Sequence, residues 1–420
     1  MKPLAQDHVL VCASPDPTRV FCYTPGIERL RSGRLVATTD WGGPGVAELE
    51  GAKAELRDCH KFWQGRIYTS DDRGATWRMR GTFPFMHARP FASGDSVYVL
   101  GQRGAVAIVR SDDDGVTWGE AADLTDGGRW HQSACNVLRA SGNVYLVMER
   151  RVEYGVKAWA PAENAPVLMR AREGDDLTRR SSWTFASELP FREAVDESSL
   201  SYIAVPFYDV DPVTGANVGG PGRHCAPMGW LETNVVRFTD PGHIWHDPEG
   251  HTFHLWMRAH TGGTGYACVA KVIENADGSM STSLQRAPSG RSVVYVPCPG
   301  GQMRFHVLQD DQTGLYWLLS TQATDSMRRP DALPPDRYNL PNNERRRLQL
   351  HFSRNMIDWC FAGMVAIGPV ERASRHYASM VIDGDDLCVL SRSGDERAKS
   401  AHDGNLITFH RVRNFRSLVY

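Results

Sequence analysis

Short runs rich in Val, Leu, Tyr, Phe and Trp recur along the chain between clusters of Gly, Asp and Asn, as at 96–100 and 143–148. Apolar positions spaced for one face of a helix are almost absent, so the pattern predicts strands joined by tight turns. An all-β chain has to dispose of its sheet edges, and radial repetition is one way to do it. Internal repeats are therefore the informative feature.

The clearest repeat pairs Ser70-Asp71-Asp72-Arg73-Gly74-Ala75-Thr76-Trp77 with Ser111-Asp112-Asp113-Asp114-Gly115-Val116-Thr117-Trp118. Ser and Asp side chains suit bonding to the backbone of a turn, Gly supplies a positive φ, and Trp can pack beneath. A shorter copy without the glycine lies at 353–359, and an eroded one at 172–183. The S-x-D-x-G-x-x-W pattern resembles the Asp-box, or BNR repeat, of the sialidase (neuraminidase) superfamily. That resemblance implies an all-β, six-bladed β-propeller with its boxes between the third and fourth strands of a blade, on the face away from the active site.

With the boxes as rulers, blades 1 to 4 are expected at about 20–85, 86–125, 129–190 and 229–290. Blade 5 then takes 293–369, and blade 6 runs from Arg372 to the C-terminus, one strand short. The run 9–13 is expected to supply that strand by pairing near 406–410, closing residues 1–420 into a single domain. Insertions at about 191–228 and 322–347 are long for plain connections, which predicts rims or lids.

Composition narrows the partners. With 41% apolar and 23% charged residues the chain reads as globular, and a net charge of -2 with no basic run argues against nucleic acid. No apolar window is long enough for a membrane helix and no signal peptide is evident, so the sequence as given reads as cytoplasmic, with a processed secreted form as the alternative. The nine cysteines are scattered, with no CxxC pair, as expected of reduced core thiols. No HExxH-type motif occurs, the His243/His246 and His251/His254 pairs are isolated, and no metal or cofactor is expected. Oligomeric state is not encoded in any visible pattern.

In a blade whose third turn faces away, the start of the inner strand and the loop after the second strand open toward the opposite face. Those positions hold Asp40, His87, Arg89, His131, Arg150, Glu232, Arg258, His260, Arg304, His376, Tyr377 and Arg392. Such a density of ionisable groups around one axis marks a candidate site, and the resemblance implies a glycan as its substrate. The run His376-Tyr377-Ala378-Ser379-Met380 resembles the segment carrying the sialidase tyrosine nucleophile. The resemblance further implies Glu232 as the carboxylate that polarises it and Asp40 as the acid/base. A phenol with an ordinary pKa near 10 needs such a partner to react near neutrality. Asp40 could stay protonated beside an apolar surface such as Trp41.

The sequence departs from the family at Tyr23-Thr24-Pro25, where sialidases carry the first of three carboxylate-binding arginines in an R-I-P motif. Arg304 is expected to fill one clamp position, with Arg89, Arg258, Arg375 or Arg392 as further candidates, and His87, Arg150, His260 and His376 as substrate contacts. The leading expectation is an exo-acting, retaining glycosidase for a terminal acidic sugar. A second is a lyase on uronate-containing glycans, with His131 or Tyr377 as base and Arg304 neutralising the carboxylate. A third is a carbohydrate-binding propeller without activity.

Overall fold

The computed structural model describes residues 2–56, 61–131, 135–152, 163–195, 229–260, 265–326, 328, 332 and 344–420, with His260 described by its backbone alone. Six antiparallel sheets follow one another in chain order as the blades of a propeller. Blade 1 has an inner strand in two pieces, Phe21–Cys22 and Gly26–Arg29, then Leu35–Gly42, Lys61–Ser70 and Arg78–Phe83. Blade 2 comprises Met86–Ser93, Ser96–Arg103, Ala105–Ser111 and Ala122–Asp123. Blade 3 again has a divided inner strand, Trp130–His131 and Leu138–Ala140, followed by Asn143–Arg151, Asn164–Arg172 and Trp183–Phe185.

Blade 4 is built from Gly229–Val236, Thr252–His260, Tyr266–Glu274 and Met280–Arg286. The short strands Ser292–Val293 and Tyr295–Pro297 also pair within its sheet. Blade 5 therefore starts later than the expected residue 293, with His306–Gln309, Tyr316–Thr321, Arg347–Ser353 and Cys360–Ile367. Blade 6 has Arg375–Asp383, Asp386–Ser393 and Leu406–Val412, and Val9–Ala13 is its outermost strand. The register Val9 to Phe409, Leu10 to Thr408 and Ala13 to Leu406 closes the ring as the sequence predicts.

Six clusters of buried apolar side chains fill the six gaps between neighbouring blades. Leu30, Val36 and Ile67 of blade 1 meet Val97, Val99 and Val109 of blade 2 in one of them. At the seam, Val11, Leu390, Ile407 and Phe409 of blade 6 meet Cys22, Leu35 and Ala37 of blade 1. Alternating apolar residues on both faces of each blade thus bind it to both neighbours, and closure leaves no gap without a partner sheet.

The repeated turns carry the bonds their residues imply. Ser70 Oγ accepts the Gly74 N–H at 2.8 Å, and Asp72 Oδ1 accepts the Thr76 N–H at 2.8 Å. Ser111 and Asp113 repeat the pattern with Gly115 and Thr117 at 2.9 and 2.8 Å. Gly74 has φ 90°, and a Cβ there would lie 2.2 Å from the Phe409 ring, so this glycine serves both the turn and the seam. In the shorter copy Met356 adopts φ 64° in place of a glycine, with its N–H on Ser353 Oγ at 2.9 Å. All of these turns join third to outer strands, so they lie at the end of the blades opposite the inner-strand starts.

Of the two insertions, residues 196–228, 327, 329–331 and 333–343 lie outside the described residues. Before the first, the short helix Phe191–Ala194 packs Phe191 edge-on against Trp230, ring centres 5.1 Å apart. No helix among the described residues is long and apolar enough to cross a membrane.

Candidate active site

Tyr377, Glu232 and Arg258 come together although they are far apart in sequence. Glu232 and Tyr377 start the inner strands of blades 4 and 6, and Arg258 is near the end of the second strand of blade 4. Arg258 Nη1 lies 2.7 Å from the Tyr377 hydroxyl and 3.2 Å from Glu232 Oε2, while its Nε donates to the Gln302 carbonyl at 2.8 Å. Arg258 and Glu232 are each 2% exposed, so their charges interact without much water between them. Burial works to raise the Glu232 carboxyl, but the Arg258 charge and the hydrogen bond with Tyr377 outweigh it and hold its pKa below the ordinary value. Burial raises the Tyr377 phenol, against the charges of Arg258 and Arg345.

Asp40 lies in the second strand of blade 1, fully buried. Burial pushes its carboxyl up to about 7, against the His87 backbone N–H and the Arg392 charge. Oδ1 accepts that N–H at 3.2 Å, and Oδ2 has no hydrogen-bond partner. Trp41 is not what shelters it. Strand alternation turns Trp41 to the other face, into the seam core, with the Arg66 guanidinium 3.5 Å from its ring.

The histidines form two groups. His87 and His131 meet edge-to-face, ring centres 4.7 Å apart, and His131 Nδ1 is 3.5 Å from Glu149 Oε2. Burial holds the His87 pKa well below its ordinary value, assisted by His131 and two arginines. His376 is fully buried, its Nδ1 3.0 Å from Arg345 Nη1, and burial likewise keeps it neutral. The side chain of His260 lies outside the described residues.

The candidate arginines separate into distinct roles. Arg392 stacks 4.2 Å over the Tyr23 ring and 5.3 Å from that of Tyr377, donating to the His402 carbonyl. Arg304 is buried beneath Tyr377, with Nη1 on the carbonyls of Tyr377 and Ala378 and Nη2 on Ser379 Oγ. Its donors thus hold the 377–379 segment of blade 6, not the clamp position expected from sequence. Arg89 also departs from expectation. It donates to the Val147 carbonyl at 2.7 Å and lines a cavity of about 450 Å³ along the other half of the axis, with Glu28, Arg139 and Arg237. Arg150 is not brought to the axis at all: alternation buries Glu149 and turns Arg150 outward, where it pairs with Glu188 at 2.6 Å. Arg375 donates to the Ser374 and Gly394 carbonyls.

Arg345 was not anticipated. Its guanidinium lies 5.3 Å from the Tyr377 ring, and burial pushes its pKa down to about 10. Nor was the group in which Asp403 Oδ1 accepts the Tyr23 hydroxyl at 2.7 Å and lies 2.7 Å from His402 Nδ1. Arg345 and His402-Asp403 precede third strands, which open on the same face as inner-strand starts. Extending the positional rule to that end of the second-to-third loop would have found both. Among the described residues no group of three or more His, Cys, Asp or Glu is arranged to hold a metal ion.

Chemically, the arrangement is a phenol beside an ionised carboxylate, a guanidinium shared between them, and a separate carboxyl poised near neutrality, on the axis of a six-bladed propeller. No family model matches the sequence, and no curated protein does. Among solved structures, the chain is similar over its whole length to 60% of the Trypanosoma rangeli sialidase in complex with sialic acid, at 12% identity and a TM-score of 0.53. It also matches a protein of unknown function from Dyadobacter fermentans over 96% of this chain and 98% of that one, at 11% identity and TM-score 0.51. The alpha-L-arabinanase of Penicillium chrysogenum complexed with arabinobiose aligns over 99% and 100%, at 11% and 0.49. The likeness to the sialidase shows the fold alone, the six-bladed propeller traced above.

Proposed function

We propose that the protein is a retaining glycoside hydrolase acting on a terminal acidic sugar, with Tyr377 as nucleophile, Glu232 as its base and Asp40 as acid/base. The observation that carries this reading is the shared contact of Arg258 Nη1 with the Tyr377 hydroxyl and the Glu232 carboxylate. As Tyr377 Oη attacks the anomeric carbon, its proton passes to Glu232 and Arg258 stabilises the developing negative charge. Asp40 gives its proton to the departing oxygen, which breaks the glycosidic bond and leaves a glycosyl-tyrosine. Water then attacks the anomeric carbon, Asp40 takes the proton of that water, and Glu232 returns its own to Tyr377.

Arg345 and Arg392 flank the Tyr377 ring and support recognition of a carboxylate, since with Arg258 three guanidiniums lie around the Tyr377 side chain beside the single carboxylate of Glu232 among the described residues. Arg392, stacked on Tyr23, supplies from blade 6 a charge that the family carries at the Tyr23 position. The test is a panel of acidic and neutral aryl glycosides, followed by trapping with a fluorinated glycosyl donor and peptide mapping. A stable adduct on Tyr377 from an acidic donor is the expected result. Turnover with an adduct on another residue would overturn the nucleophile, and an unsaturated uronate product would replace hydrolysis with elimination.

A further inference from the structure

His87, Glu232 and Tyr377 have left-handed backbones, with φ 53°, 57° and 49°. A Cβ makes that conformation unfavourable, and it persists only where the surroundings over-determine it. Each of the three sits where an inner strand slips against its neighbour, between Met86 and Arg89, Leu231 and Asn234, and His376 and Ser379. The slip inserts an extra residue and re-aims the side chain there. It recurs in blades 2, 4 and 6. In blades 1 and 3 the inner strand is instead divided into two pieces.

In all three cases a buried ionisable side chain from the preceding blade holds the slipped backbone. Asp40 of blade 1 accepts the His87 N–H. Glu149 of blade 3 accepts the Thr233 N–H at 3.0 Å and the Thr233 hydroxyl at 2.9 Å, both at the same oxygen. Arg304, just ahead of the inner strand of blade 5, spans the Tyr377 and Ala378 carbonyls and Ser379 Oγ, the last two at 2.9 and 2.7 Å. Ser379 passes the restraint on by donating to the Pro25 carbonyl of blade 1 at 2.7 Å. Glu149 is 0% exposed and Arg304 1%, so neither is placed to be a solvated surface charge.

We propose that Glu149 and Arg304 are positioning residues, each holding the left-handed bulge of the next blade so that Glu232 and Tyr377 converge on Arg258. The catalytic consequence rests on the reading of Glu232 and Tyr377 above; the structural one does not. A charged side chain suits the task, since hydrogen bonds to an ionised partner are stronger than neutral ones. The guanidinium also presents two nitrogens fixed in one plane, Nη1 to the two carbonyls and Nη2 to Ser379 Oγ, where an ammonium has only one nitrogen to place.

Crystal structures of Arg304→Gln, Arg304→Lys, Glu149→Ala and Glu149→Gln test the structural claim without any substrate. In Arg304→Gln, Tyr377 is expected to return to an extended backbone with its hydroxyl withdrawn from Arg258. Glu149→Ala should release Glu232 in the same way, while Glu149→Gln, which keeps an accepting oxygen, retains the bulge. Kinetics on an acidic aryl glycoside supply the second readout. Arg304→Gln and Glu149→Ala should lose about 100-fold in kcat with KM little changed, and Glu149→Gln should recover most of that loss. A left-handed Tyr377 still seated on Arg258 in Arg304→Gln, or a raised KM at unchanged kcat, would overturn the proposal for Arg304. If Arg304→Gln does not fold, Arg304→Lys and the Glu149 pair decide the matter. A wild-type protein that cleaves no glycoside would defeat the hydrolase reading while leaving the structural test intact.

Discussion

Asp40 and Asp383 are both buried, on strands of adjacent blades, at opposite ends of the propeller, and their carboxyls titrate in opposite directions. Burial pushes Asp40 up to about 7, with one backbone N–H on one oxygen and nothing on the other. Burial acts on Asp383 too, but hydrogen bonds from Arg29, Arg73 and Arg411, at 2.6, 2.9 and 3.0 Å, overcome it and hold that carboxyl at about 2. Those arginines come from blades 1 and 6, so Asp383 ties the seam of the ring at the turn face. The contrast shows what sets the two carboxyls apart: deeper burial at Asp40, and three charged arginine donors at Asp383.

If the Asp40 end is the chemical one, the largest effect belongs to Tyr377. Tyr377→Phe removes the attacking oxygen and keeps the ring, so the melting temperature should stay near that of the wild type while kcat/KM falls by about 10^3-fold or more. Substantial hydrolysis by a folded Tyr377→Phe, measured on the substrate that the glycoside panel identifies, would assign the chemistry elsewhere.

Asp40→Asn ranks next. General acid catalysis contributes about 10^2- to 10^4-fold, and a loss of that order in kcat is expected for a substrate with a poor leaving group. An activated aryl leaving group needs less protonation, so it should show a smaller loss. If Asp40 is the acid of the first step, wild-type kcat/KM should decline as pH rises through about 7, and that limb should vanish in the variant. A limb that survives in Asp40→Asn belongs to another group.

At the other end, Asp383→Asn should leave activity alone and weaken the fold. Three arginines then face a neutral amide, and a loss of about 2 kcal/mol is expected from hydrogen bonds to a charged group. The sign is that of a depressed carboxyl: the stabilisation is full above about pH 4 and fades as pH falls through about 2. Urea melts of wild type and variant at about pH 7 and about pH 3 should therefore differ most at the higher pH. An equal difference at both would remove the ionised carboxylate from the account.

Much of this contrast was legible in the sequence, and the exceptions have identifiable causes. Alternating apolar runs and the Ser/Asp turns fixed which face is which, because their bonds are local. Closure by Val9–Ala13 followed from an unpaired edge. Strand ends can be counted from those turns, which is what picks out Asp40, Glu232 and Tyr377, and in the structure Glu232 and Tyr377 share Arg258 while Asp40 meets the His87 N–H. Arg150 failed because a one-residue choice within Glu149-Arg150 exchanges the two faces of a strand. Arg304 and Arg89 reached the axis but at a depth where backbone carbonyls, not open space, take their donors. The three bulges left no mark in the sequence, since no glycine stands at His87, Glu232 or Tyr377.

The smallest expected effect is also the one that most directly sets the two carboxyls against each other. Asp40 has its folded pKa raised to about 7, whereas an unfolded aspartate titrates near 3.9. Between those values the fold holds a proton that the unfolded chain has released, so the stability tied to this group is full below about pH 4 and declines as pH rises through about 7. That slope is opposite to the one at Asp383. Asp40→Asn keeps an oxygen for the His87 N–H and removes the titration, so its melting temperature should gain on the wild type as pH rises. Thermal melts at about pH 5 and about pH 8.5 read the difference, with the larger gain expected at the alkaline end. A gain that is the same at both values, or larger in acid, would show that the fold does not keep Asp40 protonated. The carboxyl at the head of the axis would then be as structural as the one at its foot.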